Sequence, residues 1–150
     1  MTKPVKIIFP QEQVPKIVQE RIIPLLGDVS IVTLSGGLGA GKTTMVKEIL
    51  KQMGVSAVVT SPTFSYVNSY TLENGLVIHH FDLYRIASLD QFFALGFDEY
   101  LVAQRTINFI EWPAVIELLL TKDVFKGKVC SLFFDYLSSC SDVRELEIVL

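Results

Sequence analysis

Ser35-Gly36-Gly37-Leu38-Gly39-Ala40-Gly41-Lys42-Thr43-Thr44 decides how the rest of this 150-residue chain is read. Residues 36–43 match G-x-x-x-x-G-K-[ST] without a mismatch, the pattern of a phosphate-binding loop. Triphosphate oxygens are best surrounded by backbone N–H donors, and a loop can wrap them only where side chains do not intrude. Glycine also permits positive φ. Gly37, Leu38, Gly39, Ala40, Gly41, Lys42, Thr43 and Thr44 are therefore the expected nucleotide-binding residues. Lys42 has the reach for the β- and γ-phosphates, and the Thr43 hydroxyl suits Mg²⁺. Such a match arises by accident in roughly one chain of this length in a few hundred. Its surroundings argue against accident: an apolar run, residues 30–35, precedes it, and Met45, Val46, Ile49, Leu50 and Met53 follow at helical spacing until Gly54. A helix opening at the loop also turns its free N–H groups and dipole toward an anion.

Working outward, residues 5–9 read as a strand. Residues 11–26 carry a helical stripe, with Pro15 in its first turn and Pro24 at its end. Residues 63–71 and 76–81, joined through Glu73-Asn74-Gly75, read as a hairpin. Ser88-x-x-Gln91 predicts a capping box for a short helix ending at Gly96. Residues 107–110 read as a buried parallel strand, residues 113–120 as a helix with Pro at its first position, and residues 128–136 and 143–149 as closing strands. The expected fold is α/β: a single P-loop NTPase-like domain over residues 1–150, with a mixed, mostly parallel central sheet flanked by helices and a β-hairpin extension.

Apolar residues make up 50% of the chain and charged residues 19%, enough for a real core and against disorder. The net charge of −3, with Lys and Arg spread along the chain, lacks the basic cluster of a protein that holds nucleic acid by itself. Cys130 and Cys140 form no C-x-x-C pair and read as reduced thiols. The apolar runs are far below spanning length, so a soluble, cytoplasmic protein without membrane contact is expected.

A metal-nucleotide site needs a carboxylate from a neighbouring strand. Asp82 ends one strand and Glu111 another, and the sequence leaves both open; the alternating Asp82 strand is expected to lie in the hairpin extension. His79 and His80 are adjacent, so on a strand they face opposite ways and do not share a metal; one buried and one exposed ring is expected. Trp112 reads as a core or rim aromatic.

With these residues in hand, five segments stand in order: the loop itself, Thr60-Ser61-Pro62-Thr63-Phe64, His80-Phe81-Asp82-Leu83-Tyr84-Arg85, Leu95-Gly96-Phe97-Asp98-Glu99-Tyr100 and Ile110-Glu111-Trp112-Pro113. Together they make the chain resemble the bacterial TsaE (formerly YjeE) family, small ATPases of tRNA threonylcarbamoyladenosine biosynthesis. The resemblance implies ATP and Mg²⁺ as ligands. It also implies work beside two partner proteins that attach threonylcarbamoyl to adenosine 37 of ANN-decoding tRNAs, so that tRNA is met only through them. It implies Thr43 and Glu111 as metal ligands and Lys42 on the phosphates. Asp82 would support the metal or the attacking water, residues 60–64 with Thr63 would form a γ-phosphate switch, and Trp112 would pack beside the site. Gly37 departs from the family's usual Asp, and Arg144 matches a family arginine.

Three other classes compete. A small-molecule kinase uses the same loop but needs an arginine lid, and this chain has only Arg21, Arg85, Arg105 and Arg144, well separated. A GTP switch needs N/T-K-x-D, and Thr121-Lys122-Asp123 lacks the spacer residue. A catalytically idle, nucleotide-gated interaction module has the same sequence signature as a slow ATPase.

Overall fold

The computed structural model describes residues 3–137 and 142–150. Among them, seven strands form a sheet in the order β1-β7-β6-β2-β5-β4-β3. The strands are β1 (Val5–Pro10), β2 (Ile31–Ser35), β3 (Val67–Thr71), β4 (Val77–Asp82), β5 (Thr106–Glu111), β6 (Val129–Tyr136) and β7 (Val143–Val149). The inner four, β6, β2, β5 and β4, are parallel; β1 and β7 join one side antiparallel, and β3 the other. Parallel strands covered on both faces carry continuous apolar runs, and in β2 Ile31, Val32, Thr33 and Leu34 are all buried.

Alternation along the strands divides the core into two layers. Val32, Leu34, Ile78, Phe109, Leu132 and Phe134 pack with Met45, Val46, Ile49 and Leu50 of helix α2 (Lys42–Gln52). Ile31, Phe81 and Ile110 pack with Phe92 of α3 (Leu89–Ala94), Leu101 of α4 (Asp98–Val102) and Phe97 between them. Edge-to-face rings fill that second layer, with the Phe81 and Phe97 centroids 5.4 Å apart. Ser88 caps α3 by accepting from the Gln91 N–H, while Gln91 Oε1 accepts from the Ala87 N–H, so the capping box closes one residue earlier than predicted.

Several expectations are corrected in detail. Residues 11–25 are a chain of short turns, with α1 (Val14–Ile17) leading into a wider turn at Val18–Ile22 and a tight one at Ile23–Leu25. Pro24 lacks an N–H and its ring obstructs the preceding turn, so α geometry is not kept from Val18 to Leu25. Residues 113–120 likewise start as a tight turn, Pro113–Ile116, before α5 (Glu117–Leu120). Residues 63–66 are not strand, because Tyr66 at φ +62° interrupts the extended run before β3. The hairpin extends the sheet at its edge, and its second strand pairs with β5 along its whole length, so Asp82 stands in the parallel core rather than apart from it.

Both histidines are buried, against the expectation of one exposed ring, because β4 is covered on both faces. His79 lies edge-on to Tyr100 with its Nδ1 2.7 Å from Ser69 Oγ, while His80 lies on the α2 side against Glu111. Cys130 is a buried free thiol whose pKa is pushed up to about 11 by that burial; Cys140 lies outside the described residues. No described helix is long and apolar enough to cross a membrane.

Burial lowers the His79 pKa below the ordinary histidine value. The unfolded chain therefore binds more protons in that window, and stability present above about pH 6.5 is lost as pH falls through the folded value. Denaturant unfolding across about pH 7.5 to about pH 5 should show this decline, and His79→Gln should flatten it.

Candidate functional site

The chain leaves β2 at Ser35 and turns through the glycines before α2 begins. Gly36, at φ +153°, passes so close to β6 that a Cβ there would meet the Phe134 carbonyl oxygen at 2.8 Å. Gly41, at φ +105°, is the left-handed residue that caps α2. Gly37 has no such constraint: its φ is ordinary, and a Cβ would meet nothing within 4 Å.

Lys42 is only 5% exposed. Its Nζ donates to the Gly36 and Gly37 carbonyls, each at 2.7 Å, and lies 4.1 Å from the Trp112 ring centroid. Burial lowers its pKa, opposed by the charges of Glu111 and Asp82. Trp112 adopts φ +57°, donates its N–H to the Leu34 carbonyl at 3.3 Å, and packs on Tyr84.

The sheet register brings the acids to this point. Glu111 pairs with Leu34 on one side and Asp82 on the other, so both carboxylates emerge at the C-terminal ends of parallel strands beside the loop. The Thr43 hydroxyl donates to the Glu111 carboxylate, with oxygens at 3.0 and 2.9 Å. Glu111 is 2% exposed and takes a second hydrogen bond from His80 Nε2 at 2.7 Å. Asp82 is half-buried, and its Oδ1 accepts from the Tyr84 N–H at 3.0 Å.

These groups share one cavity of about 320 Å³ with the loop residues Leu38 to Thr44. Ser61 lines it, whereas Thr63 is exposed and outside it, beyond the buried Pro62. The opposite wall comes from Phe9, Val14, Phe134 and Arg144. The Arg144 guanidinium lies 4.6 Å from the Tyr136 ring, and the Tyr136 hydroxyl donates to the Leu38 carbonyl at 3.3 Å. Sequence reasoning missed that wall and the partner of His80. Neither had a local signal, since the first is created by the adjacency of β6 and β2 and the second by the pairing of β4 with β5.

A family model described as threonylcarbamoyl adenosine biosynthesis protein TsaE matches residues 10–132. The chain belongs to the TsaE family. It is 37% identical over 116 residues to a Rickettsia felis protein named tRNA threonylcarbamoyladenosine biosynthesis protein TsaE, covering 77% of this chain and 66% of that one. A protein of that name from Rickettsia conorii is 42% identical over 92 residues, covering 61% of this chain and 51% of that one. Another, from Bacillus subtilis, is 39% identical over 97 residues, covering 65% and 58%. This TsaE-family chain thus spans between half and two thirds of the length of these relatives. A crystal structure of Bacillus subtilis YdiB superposes with a TM-score of 0.69 at 25% identity, covering 99% of this chain and 86% of that one. Of the residues that form the far wall, Val14 lies within the span of the family match, while Phe134 and Arg144 lie beyond it.

The two neighbouring glycines of this TsaE-family loop should respond oppositely to substitution. Gly36→Ala meets backbone at a strained φ and should lose about 1–3 kcal/mol, whereas Gly37→Asp, with open space at its Cβ, should stay within about 0.5 kcal/mol. Denaturant midpoints of the two variants against the parent check both.

Proposed function

We propose that this TsaE-family chain binds ATP with Mg²⁺ in the loop cavity, as one domain, and hydrolyses it in support of threonylcarbamoylation of adenosine 37 in ANN-decoding tRNAs. It acts with two partner proteins, and they hold the tRNA. The observation that carries this reading is the Thr43 hydroxyl on the Glu111 carboxylate, at 2.9 and 3.0 Å, where the loop opens α2.

That donor set fits Mg²⁺, a hard cation that takes oxygen ligands, commonly one or two carboxylates and substrate phosphates. No cluster of three or more His, Cys, Asp or Glu able to hold a metal exists among the described residues, which fits an ion completed by a nucleotide better than one caged by protein. Thr43 and Glu111 would hold the ion, and when bound it neutralises phosphate charge. The Lys42 ammonium, held by the Gly36 and Gly37 carbonyls, fixes a positive charge at the loop. Asp82, oriented by the Tyr84 N–H, is a base placed to accept a proton from water. Residues 60–64, with Ser61 in the cavity and Thr63 outside it, form the segment that reports the state of the γ-phosphate to a partner. The chain's net charge of −3 accords with leaving tRNA binding to the partners.

Trp112 is the single tryptophan and lines the cavity, so its fluorescence reports nucleotide binding. Lys42→Ala should weaken MgATP binding about 10- to 100-fold, the worth of a charged hydrogen bond, with an unchanged far-UV spectrum. Phosphate release should be slow for the chain alone and rise with both partners and tRNA. Undiminished affinity in the Lys42 variant, or release that depends on a small hydroxyl acceptor instead, would overturn the reading.

A further inference from the structure

His80 is fully buried on the α2 side of the sheet, between Asn68 of β3 and Phe109 of β5 in register. Its Nε2 donates to Glu111 Oε1 at 2.7 Å, and its Nδ1 has no hydrogen-bond partner among the described residues. Burying an imidazole with one nitrogen unsatisfied costs free energy that an apolar residue would not incur. Packing alone therefore does not explain a histidine here.

The register explains its aim. His80 pairs with Phe109 and Asp82 with Glu111, so His80 sits one layer below the two carboxylates on the same face. The Glu111 side chain has two anchors, the Thr43 hydroxyl from the loop side and His80 from the core side. The loop-side anchor is itself a proposed ligand, so only His80 holds the carboxylate independently of what binds. We infer that His80 is a positioning residue that fixes the Glu111 carboxylate for Mg²⁺, touching neither metal nor nucleotide. This rests on the proposed Mg²⁺–nucleotide site. Hydrogen bonds to ligating groups set their orientation, and losing one typically costs 10- to 100-fold in metal affinity.

The test titrates Mg²⁺ into each variant at fixed ADP and follows Trp112 fluorescence, with metal-free ADP affinity measured in parallel. His80→Leu should raise the half-saturating Mg²⁺ concentration about 10- to 100-fold and leave metal-free ADP binding unchanged. His80→Gln places an amide nitrogen near the position of Nε2 and should restore most of the loss. His80→Asn places one near Nδ1 and should not. In a Glu111→Gln background, His80→Leu should add no further shift. An unmoved Mg²⁺ midpoint, equal behaviour of the Gln and Asn variants, or a full additive shift in the Glu111 background would overturn the inference. Should His80→Leu not fold, the Gln and Asn contrast still decides. If the parent protein itself shows no Mg²⁺-dependent ADP binding, the nucleotide reading fails and takes this inference with it; if the parent does and the variants match it, only the role of His80 fails.

Discussion

The contact between the Thr43 hydroxyl and the Glu111 carboxylate ties the first turn of α2 to the end of β5, and both residues line the cavity. A carboxylate 2% exposed is costly without hydrogen bonds. Glu111 meets that demand with one partner from the loop and one from the core, while Lys42 contributes charge from nearby. Slipping β5 by one residue would turn Glu111 to the opposite face and place Ile110 beneath the loop. The apolar pattern on both faces of β5 forbids that slip, so the packing of Phe109 and Ile110 on opposite layers fixes the position of the acid.

The loop was legible because its chemistry is local. Backbone donors, glycines and a lysine must be contiguous to wrap a phosphate, and a contiguous signal survives in a sequence. The strand and helix types were legible for the same reason, since periods of two and of 3.6 are local properties. What escaped was contact between strands far apart in the chain. Nothing near Phe134 or Arg144 announces a cavity; they reach it because β6 lies beside β2 and β7 beside β6. The burial of Lys42 was hidden in the same way, because the Trp112 ring that covers it arrives from the end of β5. Proline positions were visible, but their effect in breaking residues 11–25 into unlike turns depended on how that segment lies over the core.

Gly36 and Gly37 show how one motif mixes two demands. Gly36 is required by space, since the Phe134 carbonyl stands where a Cβ would go, and Gly37 by nothing in its surroundings. A charged side chain at Gly37 would therefore change the charge of the loop without meeting any neighbour at its Cβ.

The strand order has a consequence for how the molecule is made. β2 takes its two neighbours from β5 and β6, whose partners in register begin at Asn108 and Val129, against Ile31 in β2. A nascent chain that has already released the phosphate loop from the ribosome still lacks both flanking strands. Loop-closure entropy over such separations must be met before any pairing is rewarded, which is the signature of slow-folding topologies. The glycine-rich loop thus waits without its flanking strands until β5 and β6 have been made.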